Sequence, residues 1–403
     1  MTLPFSRRDF FKGAASSAGV AALGAMAQTP TPTIQGFDET NAGKLGTQPW
    51  TPVSDRKIKV GIAGYGVCKF GGAFGFQSHP NVEVVAATDL DPAKCAELAK
   101  VTGAKKTYAS CEEMFEKDQE IEAVFIATDA PSHARLCIAG LKRGLHMASA
   151  VPAILGQDQL ELASELHETV KKTQKIYAMF ETSAFHEDNF AMHQIYKAGG
   201  FGKLVYSEGE YYHYSGPGHE VPSYKDWRKG LPPHYYPTHS SAYYTCVTLG
   251  SFVSVTCLGM KSLLDVFQPA ANAYKNPFAT EIALFRTSEG GMSRMAVGWD
   301  MPGAHGEKGR IYGQKASFDG RYSGKVDTSK VGTNKWQLPK GMDAGGHGGA
   351  HGYLTDDFIT AILTDRQPRV NVATALNTTV SGVYAHMSAM KDGETLKIPQ
   401  FVF

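Results

Sequence analysis

Residues 57–91 read KIKVGIAGYGVCKFGGAFGFQSHPNVEVVAATDLD. The stretch has the order strand, glycine turn, helix, strand. Residues 57–62 form a short β-rich run that breaks at Gly61, Gly64 and Gly66, and residues 82–88 form a second, almost wholly apolar run ending at Asp89. Each part has a task in holding a dinucleotide. Glycines let the backbone turn tightly beside a pyrophosphate, and amide groups at a helix start meet its charge. Asp89 lies 23 residues beyond Gly66, near the spacing of about 20 at which a carboxylate reaches the ribose hydroxyls. Leu90 follows it where an arginine would welcome a 2′-phosphate, which favours NAD over NADP. Gly64, Tyr65, Gly66, Val67 and Asp89 are thus the expected cofactor contacts. In Gly-x-Gly-x-x-Gly the third glycine would fall on Lys69, and the nearest replacements are Gly71 and Gly72.

Beyond this stretch, 403 residues suffice for two hydrophobic cores. Hydrophobic residues at 42% and charged residues at 20% describe a globular chain. Forty basic against 39 acidic residues leave a net charge of +1, which excludes nucleic acid or an anionic membrane as the main partner. None of the six cysteines (68, 95, 111, 137, 246 and 257) forms a C-x-x-C pair, and no histidines show metal-ligand spacing, so no metal site is expected.

Residues 1–27 read as an address. Ser6-Arg7-Arg8-Asp9-Phe10-Phe11-Lys12 is a twin-arginine export signal, followed by a Gly/Ala-rich run and a small-x-small site at Ala25-Met26-Ala27. Periplasmic or other exported localisation is expected, with no membrane contact after signal removal. Residues 28–56, rich in Thr, Pro and Gly, read as a linker or arm. Residues 57–178 alternate strand and helix, the pattern of a doubly wound Rossmann parallel sheet. Within 179–403 long strands follow one another at 203–214, 262–267, 281–287, 292–299 and 310–316. Ser288-Glu289-Gly290-Gly291 joins two of them as a hairpin, and a late helix spans 353–364. This second part reads as an α+β domain with an open, largely antiparallel sheet.

Three further stretches carry a resemblance: Val60-Gly61-Ile62-Ala63-Gly64-Tyr65-Gly66; Val124-Phe125-Ile126-Ala127-Thr128 leading to Pro131-Ser132-His133; and Gly144-Leu145-His146-Met147. With them the chain resembles the glucose-fructose oxidoreductase / inositol dehydrogenase family from about residue 57 to 403. The resemblance implies a nucleotide-binding domain followed by an open-sheet domain whose outer face makes homo-oligomer contacts. It also implies that Thr128, Pro131 and His133 line the nicotinamide side. Typical dehydrogenases of this family carry Glu-Lys-Pro where this chain has Ala150-Val151-Pro152, so the proton-moving lysine is missing. A second family pattern, an aspartate with a histidine four residues later, falls on His239 and Tyr243. The NAD-dependent α-N-acetylgalactosaminidases of the superfamily also lack the lysine. They share Tyr-x-x-His, as in Tyr236-Pro237-Thr238-His239, and Gly-His-Gly-Gly, as in Gly346-His347-Gly348-Gly349. This chain departs from them at Ala150 and Phe185.

Residues 224–241 are broken by prolines and dense in groups that donate, accept or stack. Trp227 suits a pyranose face, and Arg228 suits hydroxyl or carboxylate groups. Without the lysine, His239 and then Tyr236 are the expected acid–base residues. Tyr243 and His347 are expected at the substrate, His347 on a glycine-rich loop. The expectation is an exported, NAD-containing enzyme acting on a sugar or glycoside, redox-neutral through oxidation and elimination. The alternatives are a dehydrogenase with a second substrate, and a carbohydrate-binding protein that keeps NAD without catalysis.

Overall fold

The apolar runs of the first half are buried on both faces, as strands inside a parallel sheet must be. In the structure, a computed structural model that describes residues 49–403, they are Ile58–Ala63 (β1), Val82–Thr88 (β2), Ala123–Ile126 (β4), His146–Ser149 (β5) and Tyr177–Met179 (β6), and the polar, partly exposed Lys106–Tyr108 (β3) forms one edge. Their order is β3-β2-β1-β4-β5-β6, with every neighbouring pair parallel. The export signal and most of the arm lie outside the described residues.

Helices cover the sheet: Phe70–Ala73 (α1), Pro92–Thr102 (α2), Cys111–Lys117 (α3), His133–Lys142 (α4) and Leu160–Thr173 (α5). The start of α2 follows from its sequence. Asp91 accepts from the Ala93 and Lys94 amides, Pro92 takes the first turn, and Gly103 in the left-handed region stops the helix. The helix after the nucleotide turn is shorter than the sequence suggests. It makes one turn, because Lys69 before it and Gly75 after it both take positive φ, 49° and 76°.

The second sheet has the order β12-β11-β7-β10-β9-β8-β13. Its strands are Leu204–His213 (β7), Phe252–Lys261 (β8), Phe278–Thr287 (β9), Met292–Gly298 (β10), His305–Gly313 (β11), Ser317–Phe318 (β12) and Leu396–Lys397 (β13). The β7–β10 pair is parallel and the others are antiparallel. The strand expected at 262–267 is a correction. Those residues turn away from the sheet, with Leu263 97% exposed and a single helical turn at Asp265–Phe267. The strand lies just before, in β8, where Gly259 sits so close to the Phe278 ring that a Cβ would fall 2.4 Å from it.

One face of this sheet carries Thr238–Thr248 (α7) and Val372–Ala389 (α9), and Glu187–Lys197 (α6) packs on α7; His351–Thr364 (α8) lies toward the first sheet. α9 packs on both β8 and β6 and so ties the two sheets together. Three of these helices, α6, α7 and α9, were not read from the sequence, and for the last two the reason is burial. α7 falls in the stretch that reads as proline-broken, and α9 is buried almost all round, so neither shows an amphipathic period. No described helix is long and apolar enough to cross a membrane.

Candidate active site

The nucleotide turn is built as its glycines require. Gly64 has φ +98°, and a Cβ there would lie 2.4 Å from the Ala127 carbonyl oxygen of the neighbouring strand end. Gly71 does the work of the displaced third glycine. Its missing Cβ lets α1 approach the Gly64 carbonyl, which would otherwise stand 2.4 Å away. Above Gly66 there is open space, and the backbone amides of Gly66, Val67 and Cys68 have no partner among the described residues. Asp89 ends β2 beside this turn and accepts from the Tyr65 amide at 2.7 Å. Open room over a glycine, free amides and a strand-end carboxylate fit a dinucleotide.

The turn opens onto a cavity of about 710 Å³. It lies beyond the carboxyl ends of the parallel strands, where open α/β sheets bind ligands. Phe70 and Phe74 follow β1, Ala150 and Val151 follow β5, and Phe180 and Thr182 follow β6. The lining also includes Tyr211, Arg228, Tyr236, His239, Asp226 and Asp265, and His347 beside Phe70. The position where the family carries its lysine is thus on the cavity wall, and it is aliphatic.

His239 is placed by close packing of helix on sheet. Gly209 and Gly309 face each other across β7 and β11. A Cβ on the first would strike the Ser240 carbonyl, and one on the second the Tyr243 ring. With neither present, α7 settles onto the strands and carries His239 between two carboxylates. Its Nδ1 lies 2.8 Å from Oε1 of Glu181 and 3.8 Å from Oε2 of Glu307. Glu181 follows β6, is fully buried, and also accepts from the Ser183 amide at 2.8 Å. Glu307 pairs across the ladder with Tyr211 and accepts from the Ser183 hydroxyl. Burial disfavours an imidazolium here, but Glu181 and then Glu307 outweigh it and raise His239 to about 9. Burial likewise opposes the Glu181 carboxylate, and the His239 charge and hydrogen bond overcome it, bringing it to about 2. The three ligand-type atoms lie within 4.8 Å of one another, a grouping that could hold a cation. The protonated imidazole already supplies the positive charge.

His347 has the opposite environment. Burial, helped by the His239 charge, moves it below its ordinary value. Tyr236 keeps its proton more firmly than a free phenol because it is buried, although Arg228 opposes the effect. The cavity lining therefore carries one imidazole that holds its proton more firmly than usual and one that holds it less firmly.

The structure brings together His239, Tyr236, Arg228 and His347 on the cavity wall. Trp227 and Tyr243 do not line it. Trp227 lies under the Arg228 guanidinium, 4.2 Å from the ring centre, and its ring is stacked near Tyr236. Tyr243 stands behind, its hydroxyl 3.4 Å from Nδ1 of His186. Thr128 and Pro131 are half-buried at the end of β4, while His133 is buried and directs Nδ1 at the Pro152 carbonyl, 2.9 Å away. Sequence reasoning missed Glu181, Glu307 and Tyr211. Only Glu181 carried a signal, as a carboxylate immediately after an apolar parallel strand.

Residues 58–181 match a family model described as an oxidoreductase family with an NAD-binding Rossmann fold, Gfo/Idh/MocA. A glycosyl hydrolase family 109 protein of Bacteroides fragilis is 27% identical over 198 residues, covering 47% of this chain and 42% of its own length. The matched stretch thus spans less than half of that relative. A family 109 protein of Solibacter usitatus is 24% identical over 98% of this chain and 97% of its own length. Among solved structures, levoglucosan dehydrogenase in complex with NADH and levoglucosan aligns with a TM-score of 0.68 at 16% identity, covering 86% of this chain and all of that one. Scyllo-inositol dehydrogenase from Lactobacillus casei, with NAD(H) and scyllo-inositol, aligns at 0.65 and 16% identity over 85% of this chain and 99% of that one. The fold is that of these sugar dehydrogenases, and the first part is an NAD-binding domain of the resembled family.

Proposed function

From an NAD-binding domain of that oxidoreductase family, we propose an exported enzyme that keeps one NAD bound and cleaves a glycoside by a redox-neutral route. The observation that carries the reading is one cavity shared by the nucleotide turn and by two imidazoles in opposite protonation states, with no lysine at Ala150-Val151. The turn at Gly64–Val67 and the Asp89 carboxylate would hold the dinucleotide. When bound, NAD supplies reversible hydride exchange with a sugar carbon, which makes the neighbouring C–H acidic.

The chain supplies the proton chemistry. His239, charged through Glu181 and Glu307, is the acid that hands a proton to the departing glycosidic oxygen. His347 is neutral and accepts a proton from the sugar. Tyr236 keeps its hydroxyl proton and orients a sugar oxygen, with Arg228 beside it. Phe70, Phe74 and Phe180 exclude water from the same space. The family 109 relatives support a glycoside as substrate over a free sugar alcohol.

Export rests on Ser6-Arg7-Arg8-Asp9-Phe10-Phe11-Lys12, a signal that would carry a protein folded around its cofactor. Outside the cytoplasm there is no NAD pool for exchange, so each turnover must return the cofactor to its starting state. A second copy of the chain fits the outer face of the second sheet, where Leu258, Met260, Ile282, Leu284 and Met292 are exposed together.

The test uses purified protein with aryl glycosides in deuterated water and no added NAD. The expected result is aglycone release with deuterium at the carbon beside the anomeric centre. Release without deuterium would mean ordinary displacement, and accumulation of NADH without release would mean a dehydrogenase.

A further inference from the structure

The loop that carries His347 is held in an unusual backbone state. His347 has φ 50° and ψ 61°, the left-handed region that a residue with a Cβ rarely takes. Nε2 of His186, from the residue before α6, lies 3.0 Å from its carbonyl oxygen and donates to it. The ring is fixed from the other side. Nδ1 of His347 lies 2.9 Å from Nε2 of His351, the first residue of α8. Nδ1 of His351 in turn lies 3.2 Å from the carbonyl oxygen of Ala73, the last residue of α1 behind the nucleotide turn.

These contacts determine where the protons are. A carbonyl only accepts, so Nδ1 of His351 carries a hydrogen. A neutral imidazole has one N–H, which leaves Nε2 of His351 as an acceptor. Nδ1 of His347 must then donate, and its own Nε2 is left with a bare lone pair. We infer that His351 is a positioning residue: anchored on the Ala73 carbonyl, it sets the tautomer of His347 so that Nε2 is the base presented to the cavity.

The surroundings keep both rings neutral. Burial, and next the proximity of His347, hold His351 down at about 4. His347 is faced by His351 from α8, His186 from the start of α6, His239 from α7, Glu307 from β11 and Glu181 after β6, with the Phe70 ring edge-on at 5.5 Å. His239 and His186 lower its proton affinity and Glu307 and Glu181 raise it, with burial the largest influence. The inference rests on the proposed glycoside chemistry for the use of the base. There Nε2 takes one proton from the substrate, exchanges it with solvent while it is an imidazolium, and gives a proton back to the same carbon before the cycle closes. The arrangement of the protons stands on the hydrogen bonds alone.

The experiment is nitrogen-15 NMR of imidazole-labelled holoprotein at neutral pH, with His347 assigned by substitution, alongside steady-state kinetics. The wild type should show His347 protonated at Nδ1 and bare at Nε2. His351→Phe, whose ring can keep the packing on Phe74 at 4.2 Å, should release His347 into the tautomer protonated at Nε2. It should also lower kcat at least about tenfold with little change in KM. His351→Gln can both donate to Ala73 and accept from His347, and should restore the wild-type tautomer and most of kcat. A wild-type His347 protonated at Nε2, or an unchanged tautomer in His351→Phe, would overturn the inference, whichever glycoside is or is not cleaved. Failure of the wild type to cleave any glycoside would instead strike the proposed function.

Discussion

Among the described residues, two buried glutamate–imidazole pairs have nearly the same build. In one, Glu181 Oε1 lies 2.8 Å from Nδ1 of His239; in the other, Glu281 Oε1 lies 2.6 Å from Nδ1 of His386. Both glutamates are fully buried, and each also accepts from a backbone amide, that of Ser183 at 2.8 Å and that of His234 at 2.9 Å. Each imidazole has a tyrosine ring set nearly at right angles to it, Tyr211 at 4.7 Å and Tyr235 at 4.8 Å. The difference is access. His239 reaches the cavity that holds the nucleotide turn, and Glu307 adds a second carboxylate to it. The Glu281 pair joins β9 to α9, away from that cavity, and its further neighbour is another imidazole, His234, which burial holds at about 4. On the proposed function, the same pair of groups serves chemistry in one place and packing in the other. What separates them is whether a ligand can reach the second ring nitrogen.

The sharpest way to break this comparison is to neutralise each carboxylate in turn. Glu181→Gln should keep the shape of the site but leave His239 a weaker base, so that less of it is charged at neutral pH. Turnover per folded molecule should fall by about 10²-fold, within the range for losing a general acid, and the alkaline limb of the pH–rate profile should move to lower pH. Glu281→Gln should leave turnover per folded molecule unchanged and lower stability by about 3 kcal/mol, as expected when one partner of a buried pair is removed. Kinetics normalised to folded protein, with urea unfolding of both variants, decides the matter. Equal loss of turnover in the two variants would erase the distinction.

Stability against pH sharpens the comparison at smaller amplitude. His239 is raised from 6.5 to about 9 in the folded state. Its contribution is fully present below pH 6.5 and is lost as pH rises toward 9, because there the folded state binds the extra proton. His234 is lowered to about 4, so between 4 and 6.5 the unfolded chain binds the proton and stability falls as pH falls. His146 and His351, both also near 4, act in the same direction. Thermal unfolding should therefore show its highest midpoint near pH 6.5, with the steeper decline on the acid side. Glu181→Gln should flatten the alkaline decline and leave in place the decline between pH 6.5 and about 4 that the lowered histidines cause. An alkaline decline that survives in this variant would place the titrating group elsewhere.

The first of the two pairs was half legible in the sequence and the second was not legible at all. His239 could be found because it stands in a four-residue motif with Tyr236. The nucleotide turn was legible because glycine spacing and a strand-end aspartate are local, and even the misplaced third glycine had its substitute two residues on, at Gly71. Glu307 lies 68 residues beyond His239 and meets it only through the pairing of β11 with β7. Nothing in its neighbours marks it. Helix α7 itself was hidden, because it is buried on every side and so lacks the polar stripe that reveals a surface helix. Trp227 was read as a sugar platform from its residue type. The structure gives its face to Arg228 one position on, a contact that type alone does not express.

The smallest expected effect concerns the tyrosines. Tyr211 stands on β7 opposite Glu307, and its ring meets an imidazole that the two carboxylates keep charged. A cation beside an aromatic ring in a desolvated site gains about 0.5–2 kcal/mol. Removing the ring with Tyr211→Leu should therefore lower the proton affinity of His239 by up to about 1.5 pKa units. Tyr211→Phe keeps the ring and should leave that affinity nearly unchanged. At the second pair the hydroxyl has the larger part. Tyr235 accepts from the Gln157 amide at 3.3 Å and packs under Gly156, so Tyr235→Phe should cost about 1 kcal/mol of stability. It should not alter the pH–rate profile. Titrating His239 by NMR in the two Tyr211 variants, with unfolding of Tyr235→Phe, gives three numbers that can disagree with this account. If Tyr211→Leu leaves the His239 titration where the wild type has it, the ring only fills space, and the charge on His239 is owed to Glu181 and Glu307 alone.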